Sequence, residues 1–465
     1  MKTIFIFIIT LLTSFTVSAQ DITGKWNGAL KVQGTQLRLV FNVTKSNEGY
    51  SATMDSPDQR VADIPVTSTT FENPKVKFEI TNAGIIYSGE LKDGEIVGTF
   101  KQSGQEFPMN LSRKTIEREV AKRPQTPVEP YPYHSEEVTF QNTKANISLA
   151  GTLTLPTKEG VFPVVILITG SGPQTRDEEI FGHKAFLVLS DYLTKNGIAV
   201  LRYDDRGFGK STGDFKSATS ADFATDVESA IAFLKTRKEI NKKQIGLIGH
   251  SEGGLIAPIV ATKSKDVAFI ALLAGTGIQG DQILLLQQKL IGKVSGVSEK
   301  DLQKTEAENT KVYKIIKQST SIEQLKSDLI HYYTLALKEN PSSEKPNGMS
   351  NEQFINLLVE NLATPWMQYF ISYNPVPTLE KVKCPVLAIN GSKDLQVPPK
   401  ENLEGIKKAL TKGGNKKITT IELPNLNHLF QECTTGSPKE YGTIEQTFSP
   451  TAMTVVLNWI KTQTR

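Results

Sequence analysis

The chain has 465 residues, 38% of them apolar and 22% charged, a balance that excludes a mostly disordered, collagen-like or disulfide-stapled protein. Lys and Arg total 53 against 49 Asp and Glu, and a net charge of +4 spread over this length argues against a nucleic-acid partner. Two cysteines cannot build a disulfide framework or a four-thiolate zinc site, and the five histidines are scattered.

In chain order, residues 1–19 read as a cleavable signal peptide. Lys2 supplies the positive start, Ile4 to Leu12 is almost wholly apolar, and Val17-Ser18-Ala19 ends in small residues, so cleavage is expected after Ala19. The apolar run falls short of the roughly 20 residues a membrane span needs. No later stretch is apolar enough to span. The mature protein is expected to be exported, to the periplasm or the extracellular space.

Residues 20–118 alternate apolar and polar side chains in short segments, as in Leu37 to Val43 and Val76 to Ile80, with turn signals at Asn47-Glu48-Gly49, Asn82-Ala83-Gly84 and Asp93-Gly94. About eight strands in such a span predict a small antiparallel β domain, a lipocalin-like barrel or a sandwich. It is read as a binding module or a spacer, and the sequence names no partner for it. Residues 119–134 hold four prolines between Pro124 and Pro132 and are read as an extended linker.

Residues 135–465 change pattern. Apolar runs at 163–169, 198–203, 244–248, 267–273, 385–390 and 418–423 read as buried parallel strands. Helical stripes lie between them, for example Phe223, Val227, Ile231 and Leu234. This alternation predicts an α/β sheet covered by helices on both faces. Residues 278–378 offer amphipathic helices and no convincing strand, and read as a helical lid inserted between two core strands.

The pattern G-x-S-x-G occurs twice. The copy at Gly209–Gly213 lies beyond a strand end and runs into polar residues, so it reads as a structural loop. The copy Gly249-His250-Ser251-Glu252-Gly253 follows Ile245-Gly246-Leu247-Ile248 and opens into Leu255-Ile256-Ala257. That is strand, sharp turn, helix, the setting of a nucleophile elbow, and it singles out Ser251. A serine nucleophile needs a base and the base needs a carboxylate, in the chain order Ser, acid, His. His428 is the one histidine just past the last strand, and Asp394 the one later aspartate at the C-terminal end of a core strand, where α/β proteins place their site residues. Two oxyanion donors are expected: the N–H of Glu252, and an N–H from the turn Thr169-Gly170-Ser171-Gly172-Pro173, Ser171 first and Gly172 second.

On these residues the segment 135–465 resembles the α/β-hydrolase superfamily. More narrowly it is similar to EstD-type bacterial carboxylesterases and to serine aminopeptidase-like (S33) hydrolases. The features that carry the resemblance are Gly170-Ser171-Gly172-Pro173, Arg202-Tyr203-Asp204-Asp205-Arg206-Gly207, the elbow at Ser251, Gly391-Ser392-Lys393-Asp394 and Asn427-His428. The resemblance implies hydrolysis of a small-molecule carboxylic ester with no metal and no organic cofactor. It also implies that Asp204 and Arg206 shape the site without doing chemistry. The runner-up is an S33 peptidase that anchors a substrate amine on lid carboxylates such as Glu352 and Glu360. Under the ester reading, Ile283 to Leu286 and Trp366-Met367 are expected to line the acyl pocket.

Overall fold

The computed structural model describes residues 21–465 apart from 33–34, 48, 60, 103–104, 118–121 and 340–348. The expected signal peptide lies outside the described residues. Contacts divide the chain into two units, one holding Gln36–Arg118 and the other Glu119–Ser343 with Ser350–Arg465.

The first unit is an antiparallel meander. One sheet orders β1 (Gly24–Val32), β2 (Thr35–Ser46), β3 (Gly49–Ser56) and β4 (Val61–Pro65). The other orders β5 (Ser68–Glu72), β6 (Lys75–Ile80), β7 (Ile85–Lys92), β8 (Glu95–Gln102) and β9 (Gln105–Pro108). Val66 N–H to the Ala52 carbonyl and Thr67 N–H to the Glu79 carbonyl join the sheets at one seam. At the other seam Leu111 bridges Ile96 and Ser112 bridges Asn27. Alternate residues turn inward, and Trp26, Phe41, Phe78, Tyr87 and Phe100 are all at most 2% exposed. Phe41 stacks on Phe78 at 4.5 Å between ring centres, and the Tyr87 hydroxyl donates to the Ile96 carbonyl at 3.0 Å. Aromatic rings thus pack the interior between the sheets.

The second unit is built on an eight-stranded mixed sheet. Its strands are β10 (His134–Asn142), β11 (Ile147–Leu155), β12 (Phe162–Ile168), β15 (Ala199–Tyr203), β16 (Ile240–His250), β17 (Val267–Leu273), β18 (Val386–Gly391) and β19 (Ile418–Leu423), and the two-residue strands β13 (Glu179–Ile180) and β14 (His183–Lys184) form a separate hairpin. The order is β10-β11-β15-β12-β16-β17-β18-β19, with β11 antiparallel to both neighbours and all later pairs parallel. This is the α/β-hydrolase fold.

Helices cover both faces. α1 (Ala185–Lys195) and α11 (Pro450–Gln463) pack on one, through Phe186, Leu189, Val456 and Ile460. α2 (Ser220–Thr236), α3 (Gly253–Lys263) and α10 (Pro399–Lys412) pack on the other. The stripe Phe223, Val227, Ile231 and Leu234 is buried, and Thr219 with Asp222 caps the start of α2. Burying one such side chain contributes roughly 1.5–3 kcal/mol. All six expected parallel strands are present. The antiparallel pair β10–β11 was not singled out in sequence, because β10 is half exposed and its alternation resembles that of the first unit. Arg123, within the expected linker, donates to the carbonyls of Phe181, Gly442 and Ile444, and Gln125 donates to that of Phe448, so this stretch is fastened to the second unit.

Between β17 and β18 run α4 (Gly280–Val294), α5 (Glu299–Gln318), α6 (Ile322–Glu339), α7 (Asn351–Leu362), α8 (Pro365–Ser372) and α9 (Val376–Leu379). They bury Val312, Ile316, Leu325, Leu329, Val359 and Ile371 against one another, so the insertion has a core of its own. Among the described residues no helix is long and apolar enough to cross a membrane.

Candidate active site

The turn from β16 into α3 places Ser251 at φ +51°, a left-handed conformation that a non-glycine residue adopts only when its surroundings hold it there. Close approach explains the flanking glycines. A Cβ on Gly249 would stand 2.0 Å from the Gly253 carbonyl oxygen, and one on Gly253 would stand 2.2 Å from that of Ile168. The Ser251 N–H donates to Leu273 O at 2.8 Å, tying the elbow to β17. The other G-x-S-x-G copy is structural, as its sequence setting implies. Ser211 Oγ donates to Asp204 O at 2.7 Å and accepts from Ala150 N–H at 3.0 Å.

His428 sits on the loop after β19. Asn427 stiffens that loop: its side-chain oxygen accepts the N–H groups of Leu429 and Gln431, and Phe430 stacks on Phe448. Asp394 follows β18 and is 2% exposed. Its Oδ1 accepts the N–H groups of Gln396 and Val397, each at 2.8 Å, and its Oδ2 accepts from His428 Nδ1 at 2.8 Å. With Nδ1 as donor, the proton-free nitrogen of a neutral ring is Nε2. Neither Ser251 Oγ nor His428 Nε2 has a hydrogen-bond partner among the described residues.

Ser251 and His428 line one cavity of about 250 Å³. Ser171 lines it too, whereas Gly172 does not. The turn that carries them crosses beside the elbow, since a Cβ on Gly170 would stand 3.3 Å from Ser251 Cβ. Gly170 N–H is taken, donating to Glu178 Oε1 at 2.8 Å. The N–H groups of Ser171 and Glu252 donate to no acceptor among the described residues. For Glu252, beside the first turn of α3, that is normal at a helix start. The structure therefore brings together Ser251, Asp394, His428, Ser171 and Glu252.

The apolar walls differ from the sequence expectation. Ile180, Phe181, Leu429 and Pro438 line the cavity, while Ile283 to Leu286 and Trp366-Met367 do not. Leu284, Leu285 and Met367 pack on the insertion's own core. Trp366 stacks on Phe370 and donates its indole N–H to Glu252 Oε1 at 2.8 Å. Glu352 and Glu360 are exposed on α7 and do not reach the cavity. Sequence reasoning also passed over two residues that line it, Glu178 and His250.

Buried acids surround the turn. Asp205 accepts from the Thr169 hydroxyl and the Gln174 N–H, both at 2.8 Å. Burial pushes the Asp205 carboxyl up to about 8, against those two hydrogen bonds and with help from Glu252 and Glu178. Burial likewise raises Glu252. The folded chain thus holds a proton on Asp205 that the unfolded chain releases near pH ~4. Stability falls as pH rises from there through about 8 and levels off above it. Asp205→Asn removes this loss. Relative to wild type, the variant is expected to gain stability on the order of 1 kcal/mol per pH unit across that window. Any constant offset from the altered hydrogen bonds leaves the slope untouched. Thermal melts of both proteins from acid to alkaline pH check this, and a difference independent of pH refutes it.

Residues 183–335 match the family model described as serine aminopeptidase, S33, a stretch that holds the elbow but neither Asp394 nor His428. The chain is similar to esterase EstD of Thermotoga maritima, 26% identical over 306 residues, covering 65% of this chain and 61% of that protein. The match thus takes in less than two thirds of the Thermotoga protein. A putative carboxymethylenebutenolidase of Synechocystis is 30% identical over 148 residues, 29% of this chain and 56% of that one. Among solved structures, an esterase of Pyrococcus furiosus is 16% identical with a TM-score of 0.43, covering 75% of this chain and 99% of its own.

Proposed function

We propose that this protein is an exported serine hydrolase that cleaves carboxylic esters through Ser251, His428 and Asp394. The observation that carries the reading is the Asp394–His428 bond of 2.8 Å, which leaves Nε2 as the proton acceptor in the cavity that Ser251 also lines. Catalytic hydrogen bonds are often long in the absence of substrate, so an unmade bond from Ser251 to His428 is compatible with the mechanism. Ser251 Oγ attacks the ester carbonyl as its proton passes to His428 Nε2. The tetrahedral oxyanion is held by the N–H of Glu252 and of Ser171, with Gly172 as second choice. The imidazolium then protonates the departing alkoxide. A water molecule, deprotonated by the same nitrogen, cleaves the acyl-enzyme and releases the acid.

The S33 peptidase reading requires an acid free to hold a substrate amine. Among the described residues lining the cavity the one acid is Glu178, and Gly170 and His250 already occupy it. This supports the ester reading over the peptide one. A side-by-side assay decides between them. Mature protein is expected to hydrolyse p-nitrophenyl acetate and butyrate with a higher kcat/KM than aminoacyl p-nitroanilides, and the reverse order would transfer the assignment to the peptidases. Export rests on the composition of the first 19 residues, and cell fractionation of the full chain tests it. The β domain's role as binding module or spacer is tested by a chain lacking it, assayed on the same esters.

A further inference from the structure

His250 precedes the proposed nucleophile and is 5% exposed. Glu178, 72 residues earlier in the chain, is 3% exposed and held at φ +48°. Its Oε1 lies 2.9 Å from His250 Nδ1 and accepts the Gly170 N–H at 2.8 Å. On the far side of the ring, His250 Nε2 lies 3.0 Å from the His428 carbonyl oxygen.

The proton positions follow from what each partner can do. A carbonyl oxygen only accepts, so Nε2 carries a proton. Glu178 Oε1 already accepts from Gly170, and with a carboxylate opposite, Nδ1 donates as well. His250 is then a buried imidazolium paired with a buried carboxylate. Burial opposes the charge on this ring, but Glu178 beside it prevails and raises the histidine above its ordinary range.

The geometry points to Glu178 and His250 as a positioning pair that locks three separate segments of the esterase site into one frame. The inference rests on the ester-hydrolase reading above. Each of these three segments is gripped at its working residue or one residue away from it. Glu178 holds Gly170, next to the oxyanion donor Ser171. His250 is itself the residue before Ser251. The same ring holds the backbone of His428, whose imidazole lies 4.9 Å from it between ring centres. The left-handed backbone at Glu178 is consistent with such a role, since unusual backbone geometry persists where the surroundings over-determine it. Neither residue touches the reacting atoms, so the pair acts through placement. A displacement of about 1 Å in a reacting group costs on the order of 100-fold in rate.

The test compares wild type, Glu178→Gln, His250→Gln and the double variant with p-nitrophenyl butyrate, after thermal melting has shown which of them fold. Each single variant is expected to lower kcat about 10–100-fold with KM within about threefold. The double variant is expected to lose little more than the worse single one, because the two act as a unit. A kcat within twofold of wild type, or losses that multiply in the double variant, would overturn the proposal. A second measurement needs neither turnover nor folding of these variants: ¹⁵N NMR of histidine-labelled full-length Ser251→Ala protein, followed as pH rises. Both ring nitrogens of His250 are expected to stay protonated to higher pH than in a free imidazole, and a ring that loses a proton as early as a free imidazole would sink the pair. If wild type shows no Ser251-dependent hydrolysis, the esterase reading fails first, and the NMR result still judges the ion pair by itself.

Discussion

Replacing Ser251 with alanine is expected to lower kcat for p-nitrophenyl butyrate by about 10⁴–10⁶-fold while the protein stays folded. The large figure follows from the step removed. Without Oγ there is no acyl-enzyme, and the oxyanion donors can assist only direct attack by water. The substitution costs little stability, because Oγ makes no hydrogen bond among the described residues and the strain at φ +51° belongs to the backbone. Thermal melting therefore separates a chemical loss from an unfolded sample. A variant with an unchanged rate would remove Ser251 from the mechanism.

The second large effect is at Asp394, where asparagine is expected to lower kcat about 10⁴-fold with little change in KM. The surrounding donors explain why a one-atom change costs so much. Gln396 and Val397 point their N–H groups at Oδ1, each at 2.8 Å, so an asparagine keeps its oxygen there. Its NH₂ must then face His428 Nδ1, where the carboxylate oxygen stood at 2.8 Å. An NH₂ donates, so Nδ1 has to accept. The proton moves to Nε2, which can no longer take the Ser251 proton. Rate measurements beside thermal melts check this, and a loss smaller than tenfold in a folded variant would refute the tautomer argument.

The sequence was most informative where chemistry depends on neighbours along the chain. A strand, a turn crowded with glycines and a helix follow one another without interruption around Ser251, and local sterics require that order. Asp394 and His428 could be singled out as candidates because the end of a buried apolar run marks the end of a strand, and parallel strands gather their C-terminal ends on one edge of the sheet. The six parallel strands were legible for the same reason, as runs apolar on both faces.

Only the tertiary structure decided which groups meet across long stretches of chain. His250 grips the His428 carbonyl across 178 residues and Glu178 across 72, and neither contact leaves a periodic or compositional trace. The insertion's helices were visible as amphipathic stretches, but an apolar stripe does not say what it will cover. Leu285 and Met367 turn to the insertion's own core, leaving the cavity walls to Ile180, Phe181, Leu429 and Pro438, which come from short segments with no apolar pattern. The sequence by itself determined the fold and singled out the proposed reacting groups, because strand and turn preferences act over a few residues. The frame that holds those groups and the surface a substrate meets were decided by the tertiary structure, because hydrogen bonds and packing act between atoms close in space, however far apart they lie in sequence.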